Sequence, residues 1–162
     1  MTLKFYKYQG AGNDFLIADN RDGHIVEKDG FLSVVMEDGA QWTRSIADLC
    51  DRRYGVVADG LMLLESACAC DPHDDNDCAK TDFRMVYFNS DGSGGMMCGN
   101  GGRCIVAFAA DRGIGHFDFE AADGFHRANI VKDDQGVKTV RLASSVPNQS
   151  TPPTAFGKSA RI

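Results

Sequence analysis

The chain has 162 residues, with 17 Lys and Arg against 23 Asp and Glu and a formal charge of −6. That length carries one domain with a proper core, and the negative balance argues against a nucleic-acid backbone or an anionic membrane surface as the main partner. The composition, 43% apolar and 25% charged, is that of a folded globular protein, and its 18 glycines fall largely in a few short loops, which points to specific tight turns.

The first segment alternates. Leu3 and Phe5 lie on one side of a strand, with Lys4, Tyr6 and Tyr8 on the other. It has no apolar core of a signal peptide, and the longest apolar run, residues 104–110, falls far short of the ~20 residues of a membrane helix. The six cysteines (Cys50, Cys68, Cys70, Cys78, Cys98, Cys104) are therefore expected as free thiols in a cytoplasmic protein. Residues 10–14 break the first strand and residues 15–18 resume as a second. Turn clusters at 20–23 and 28–30 precede a strand at 31–36.

A helix follows, with Thr43 as N-cap, Ile46, Leu49, Cys50 and Arg53 on one stripe, and Gly55 at a left-handed C-terminal position. Trp42 is expected to pack beside it. Residues 61–64 and 83–88 read as strands around an acidic loop at 67–82, which holds Cys68, Cys70, His73 and Cys78. Their spacing is irregular for zinc, so the segment reads as a solvated loop and no metal is expected. A second helix at 100–112 is apolar all round at 104–110, which predicts burial on every side. Strands at 116–121, 125–131 and 137–142 close an α+β domain over 1–142, and the Ser- and Pro-rich residues 143–162 read as a disordered tail. His24, His116 and His126 are isolated and read as surface or core residues.

Residues 89–104 carry the chemistry. A strand ends at Asn89, a glycine-rich loop follows, and Cys98 stands where the buried helix begins. The unpaired N–H groups of a helix's first turn attract a carboxylate and lower the pKa of a thiol beside them. A thiolate facing a bound carboxylate suits either attack on a carbonyl or removal of the neighbouring carbon's proton. Cys104, inside the apolar run, reads as core packing.

The run Cys98-Gly99-Asn100-Gly101-Gly102-Arg103-Cys104, with Asn89-Ser90-Asp91-Gly92-Ser93 before it, resembles the signature of diaminopimelate epimerases. Gly10-Ala11-Gly12-Asn13-Asp14-Phe15 is similar to that family's N-terminal substrate loop, and residues 51–60 to its third characteristic segment. The resemblance covers the N-terminal half of a typical member. It implies an antiparallel sheet wrapped around the central helix and a cofactor-free inversion of LL-diaminopimelate to the meso form by two thiols. Cys98 matches the first-half catalytic cysteine. Asn13, Asn89, Gly99 and Asn100 match positions that hold the substrate.

The chain departs from the pattern at Val57, where members often have Gly, at Gly94, where many have Glu, and at Gly60, where some have a substrate-contacting glutamine. The family's second cysteine, glutamate and arginine belong to a second half that this sequence lacks, so it reads as a fragment or half-protein. The isolated chain is expected to be inactive. Its partners are a small amino-acid substrate and either a second copy or a separate second half, with no nucleic acid or membrane. The alternatives are another cofactor-independent racemase or epimerase of this fold, or a non-catalytic carboxylate-binding half.

Overall fold

A computed structural model describes residues 3–67, 81–144 and 159–161. Its larger sheet has eight strands: β1 (Tyr6–Gly10), β2 (Asn13–Asp19), β6 (Gly60–Ser66), β7 (Phe83–Asn89), β8 (Asp118–Ala121), β9 (Gly124–Asp134), β10 (Val137–Ser144) and β11 (Ser159–Arg161), in that spatial order. A three-stranded sheet is made of β3 (Val26–Lys28), β4 (Phe31–Val35) and β5 (Gln41–Ser45). The helices are α1 (Ile46–Cys50) and α2 (Gly99–Asp111). Among the described residues no helix is long and apolar enough to cross a membrane.

The large sheet is mixed, which corrects the antiparallel expectation. β2 pairs with β6 in parallel, and so does β7 with β8. Each of these pairs is joined by a long crossover, through the small sheet and α1 in one case and through α2 in the other, and crossovers of that kind return the chain in the same direction.

β2 and β6 are buried on both faces, as the unbroken runs Phe15-Leu16-Ile17-Ala18 and Leu61-Met62-Leu63-Leu64 require. Phe15, Ile17, Met62 and Leu64 pack with Phe83, Met85 and the side chains of α2. Leu16, Ala18, Leu61 and Leu63 face the opposite way, onto Leu32 and Val34 of the small sheet and Ile46 and Cys50 of α1. The alternation of the first strand works as expected: Tyr6 and Tyr8 lie against Phe108 of α2, while Leu3 and Phe5 join the other cluster. All residues of α2 from Gly101 to Ala109 are buried.

The first helix differs from its expected form. Thr43 lies in β5, and Ser45 caps α1 by accepting from the Asp48 N–H at 3.0 Å. α1 ends at Cys50, and the left-handed position falls on Val57 (φ 55°) rather than on Gly55. Trp42, also in β5, tilts against Phe5. The small sheet was missed at β3 and β5 because these strands are short and polar. Ala143 and Ser144 continue β10, and Ser159–Arg161 pair with it, so these parts of the expected tail belong to the sheet. Residues 145–158 lie outside the described residues, as do Cys68, Cys70, His73 and Cys78.

Candidate active site

Three chain segments meet at one end of the large sheet. Phe15 pairs with Gly60, and Gly60 with Asn89, so the starts of β2 and β6 and the end of β7 stand side by side. Nine residues after Asn89 the chain reaches Cys98, which directly precedes α2.

Cys98 is the N-cap of α2, in extended conformation (φ −109°, ψ 151°), and its exposed thiol accepts from the Gly101 N–H at 3.2 Å. The N-cap position usually carries a Ser, Thr, Asp or Asn oxygen. Here a sulfur stands in that place and accepts from one backbone N–H. Glycine at 101 lets the sulfur settle on the turn: a Cβ there would lie 3.3 Å from Sγ and 3.4 Å from the Met85 methyl. Gly99 is the exposed first residue of α2, one of the positions whose N–H has no partner inside a helix.

Asn13 and Asn100, 87 residues apart, touch directly: the Asn100 amide donates to Asn13 Oδ1 at 2.8 Å. The contact extends at both ends. Asn13 Nδ2 donates to Asp59 Oδ2 at 3.0 Å, and the Arg103 guanidinium donates to Asn100 Oδ1. Asp59 is tied to β2 a second time, accepting from the Asp14 N–H at 3.0 Å. The donation from Asn13, followed by that from Asp14, holds the Asp59 carboxyl below the usual carboxylate range.

Asn89 is placed differently. Its amide donates to Ser93 Oγ at 3.0 Å, and Ser93 in turn donates to Asp91 at 2.6 Å, so in this state Asn89 braces its own turn. Thus the fold joins Asn13 with Asn100, which Cys98 and Gly99 immediately precede in sequence, and leaves Asn89 at the same sheet end without a side-chain bond to the others.

Sequence reasoning gave Asp59 and Arg103 no role, although both fall inside the quoted motifs. For Arg103 the signal was a charged side chain one turn after Asn100, directly before the apolar run 104–110. Tyr87 was also missed. Its ring packs on Phe15 and fills the space beside Gly60, where a Cβ would come within 2.5 Å of the ring. A side chain at residue 60 therefore has no room. Burial pushes the Tyr87 hydroxyl up, and the charges of Cys98 and Asp59 add to this.

The other thiols stand apart from Cys98. Cys50 and Cys104 are buried, and burial pushes them up to about 11 and about 12. A cleft of about 640 Å³ lined by Tyr6, Asp19, Arg21 and Arg112 lies toward the opposite end of α2.

A family model described as diaminopimelate epimerase matches residues 5–144. The chain is 47% identical over 134 residues to a diaminopimelate epimerase of Flavobacterium psychrophilum, covering 82% of this chain and 43% of that one. It is 36% identical over 151 residues to a diaminopimelate epimerase of Aquifex aeolicus, covering 92% and 49%. The crystal structure of a Bacillus anthracis phenazine biosynthesis protein of the PhzF family superposes with a TM-score of 0.51 at 15% identity, over 88% of this chain and 40% of that one. That likeness is one of fold. The chain spans less than half the length of these relatives. With the family model matching residues 5–144 and these two epimerases 47% and 36% identical to it, the chain belongs to the diaminopimelate epimerase family.

Proposed function

We propose that this chain carries the proton-abstracting thiol and the carboxylate cradle of a diaminopimelate epimerase, with Cys98 as the base. One observation carries the reading: a thiol at the N-cap of a buried helix, hydrogen-bonded by the Gly101 N–H, beside an asparagine pair that offers further donors. The Cys98 thiolate takes the α-proton, and the electron pair left on carbon spreads onto the neighbouring carboxylate. Charge grows on those oxygens as the proton leaves. Donors fixed beforehand, the N–H groups of Gly99 and Asn100 and the amides of Asn13 and Asn100, stabilise the transition state more than the bound substrate. Asn89 joins this set by turning away from Ser93.

A second thiol returns a proton to the opposite face in the two-base scheme. Among the described residues, Cys50 and Cys104 are buried, and neither offers that face an accessible donor. The reading therefore assigns the second base to a partner, a second half or another copy of the chain. In it the large sheet wraps α2 as the central helix, no cofactor takes part, and the protein is cytoplasmic.

Incubation with LL-diaminopimelate in heavy water tests the proposal. Deuterium is expected at the α-carbon with configuration retained, and the exchange is expected to vanish in Cys98→Ala. No exchange by the wild type, or exchange that survives Cys98→Ala, would overturn it.

A further inference from the structure

We propose that Asp59 and Arg103 are positioning residues that lock the side-chain amides of Asn13 and Asn100 in one orientation, so that both present N–H donors to the substrate carboxylate. The inference rests on the functional reading above for the identity of the substrate. The orientation itself follows from the hydrogen bonds.

The four side chains form a directed row: Asp59 carboxylate, Asn13 amide, Asn100 amide, Arg103 guanidinium. An isolated asparagine amide can be turned end for end with little change in shape, and only its partners tell oxygen from nitrogen. Here the ends of the row decide. A carboxylate only accepts and a guanidinium only donates, so the anion fixes the NH2 of Asn13 toward Asp59 and the cation fixes the carbonyl of Asn100 toward Arg103. With both ends set, the central bond runs from the Asn100 NH2 to the Asn13 carbonyl, as observed. Reversing either amide sets like against like in two contacts at once. Each NH2 spends one hydrogen in the row and has a second, and aligned dipoles strengthen one another.

The ends are anchored on different elements. Asp59, just before β6, accepts from the Asp14 N–H, and its own N–H donates to the Asp14 carbonyl at 2.7 Å. Arg103 is buried in α2, with its guanidinium alongside Gly99: a Cβ at that residue would lie 3.5 Å from Nη1. The row thereby ties the starts of β2 and β6 to the start of α2. Among the described residues the charged and titratable groups around Asp59 include Asp14, which bonds to it through the backbone, and Lys7, Arg52, Cys50 and Tyr87.

The test uses the full chain, 15N-labelled, following the Nδ2 groups of Asn13 and Asn100 by NMR. On acidification both pairs are expected to shift with one common midpoint, below the usual carboxylate range, as Asp59 takes a proton. Separate midpoints, or an Asn100 signal that does not move, would refute the proposal. Asp59→Asn keeps the shape and removes the charge. It should move both amide pairs, leave the backbone signals of β8 and β9 in place, and weaken binding of LL-diaminopimelate by about tenfold. Unchanged affinity with moved amides would also refute it. If Asp59→Asn does not fold, the wild-type titration decides. If the wild type does not bind LL-diaminopimelate, the functional reading fails, and the amide titration alone decides whether Asp59 and Arg103 position the pair.

Discussion

Val57 is a β-branched residue at φ 55°, in the loop that delivers Asp59 to the site. In the left-handed region Cβ crowds the following carbonyl, at a cost of about 1–2 kcal/mol for an ordinary L-residue. The fold imposes the angle. Val56 N–H donates to the Leu49 carbonyl at 2.8 Å and Ala58 N–H to that of Cys50 at 3.2 Å, so the loop is bonded back onto α1 on both sides of Val57. Val57→Gly removes the strain and loses a half-buried side chain, while the unfolded chain gains about 0.5–1 kcal/mol of backbone freedom. Val57→Ala loses most of the same side chain but keeps the Cβ. The contrast between the two variants is therefore the informative quantity. At an ordinary position Ala exceeds Gly in stability by about 0.5–1 kcal/mol; here Gly should exceed Ala by about 0.75 kcal/mol, a mid-range strain of about 1.5 less a mid-range entropy of about 0.75. Urea unfolding with both variants measures it, and thermal unfolding should separate them by about 1–4 °C for a chain of this size. An alanine variant at least as stable as the glycine variant would refute the assignment of strain to residue 57.

Alkylation at neutral pH should favour Cys98 over Cys50 and Cys104, because Cys98 is exposed and the other two are buried with raised thiols. Peptide mapping of partly labelled protein reads the order, and early labelling of Cys104 would contradict it. Lys138, buried on β10, donates to Asp111 at 2.6 Å, and Tyr8 donates to the same carboxylate. Partial burial pushes Asp111 up, but the hydrogen bonds from Lys138 and Tyr8 outweigh it and hold the carboxyl below its usual range. A depressed carboxyl contributes stability above its unfolded pKa and loses it as pH falls through the folded value. Lys138→Met should therefore cost about 1 kcal/mol at neutral pH, reduced by the 40% exposure of the Asp111 side chain, and flatten the acid limb of the stability curve. Equal loss at neutral pH and at pH 2 would argue for packing instead. Finally, the chain alone should give no meso-diaminopimelate from the LL form on chiral separation. Meso product at a rate abolished by Cys98→Ala would show that a second base is already at hand.

What could be read in the sequence was what sits in long apolar runs or dense glycine motifs. The strands at Phe15 and Leu61 and the helix after Cys98 announce themselves because burial on both faces leaves few polar residues. The helix at 46–50 is read too long because Arg53 continues its stripe, whereas the chain turns away at Asp51, whose carboxylate accepts from the Arg53 and Tyr54 N–H groups at 2.7 Å. The parallel pairings were not legible: strand direction depends on where the chain returns after a crossover, and no local pattern records that. At the site, Cys98 and Asn100 are neighbours in sequence, but the contact of Asn13 with Asn100 spans 87 residues, and only the fold creates it.

The parallel pairing is also what makes the site. β2 and β6 run the same way, so Asn13, the first residue of β2, and Asp59, just before β6, stand at the same end of the sheet. β7 is antiparallel to β6 and therefore finishes at that end, which delivers Asn89 and then Cys98 there. β6 has seven residues, about 23 Å at ~3.3 Å per residue. Were β6 reversed against β2, Asp59 would stand about that far from Asn13, the row to Arg103 would lose its anion, and the amides would have nothing to orient them. The direction of one buried strand thus decides whether the donors around the helix terminus are ordered. A substitution that only thins the packing between β2 and β6 should loosen the amide pair before it unfolds the chain.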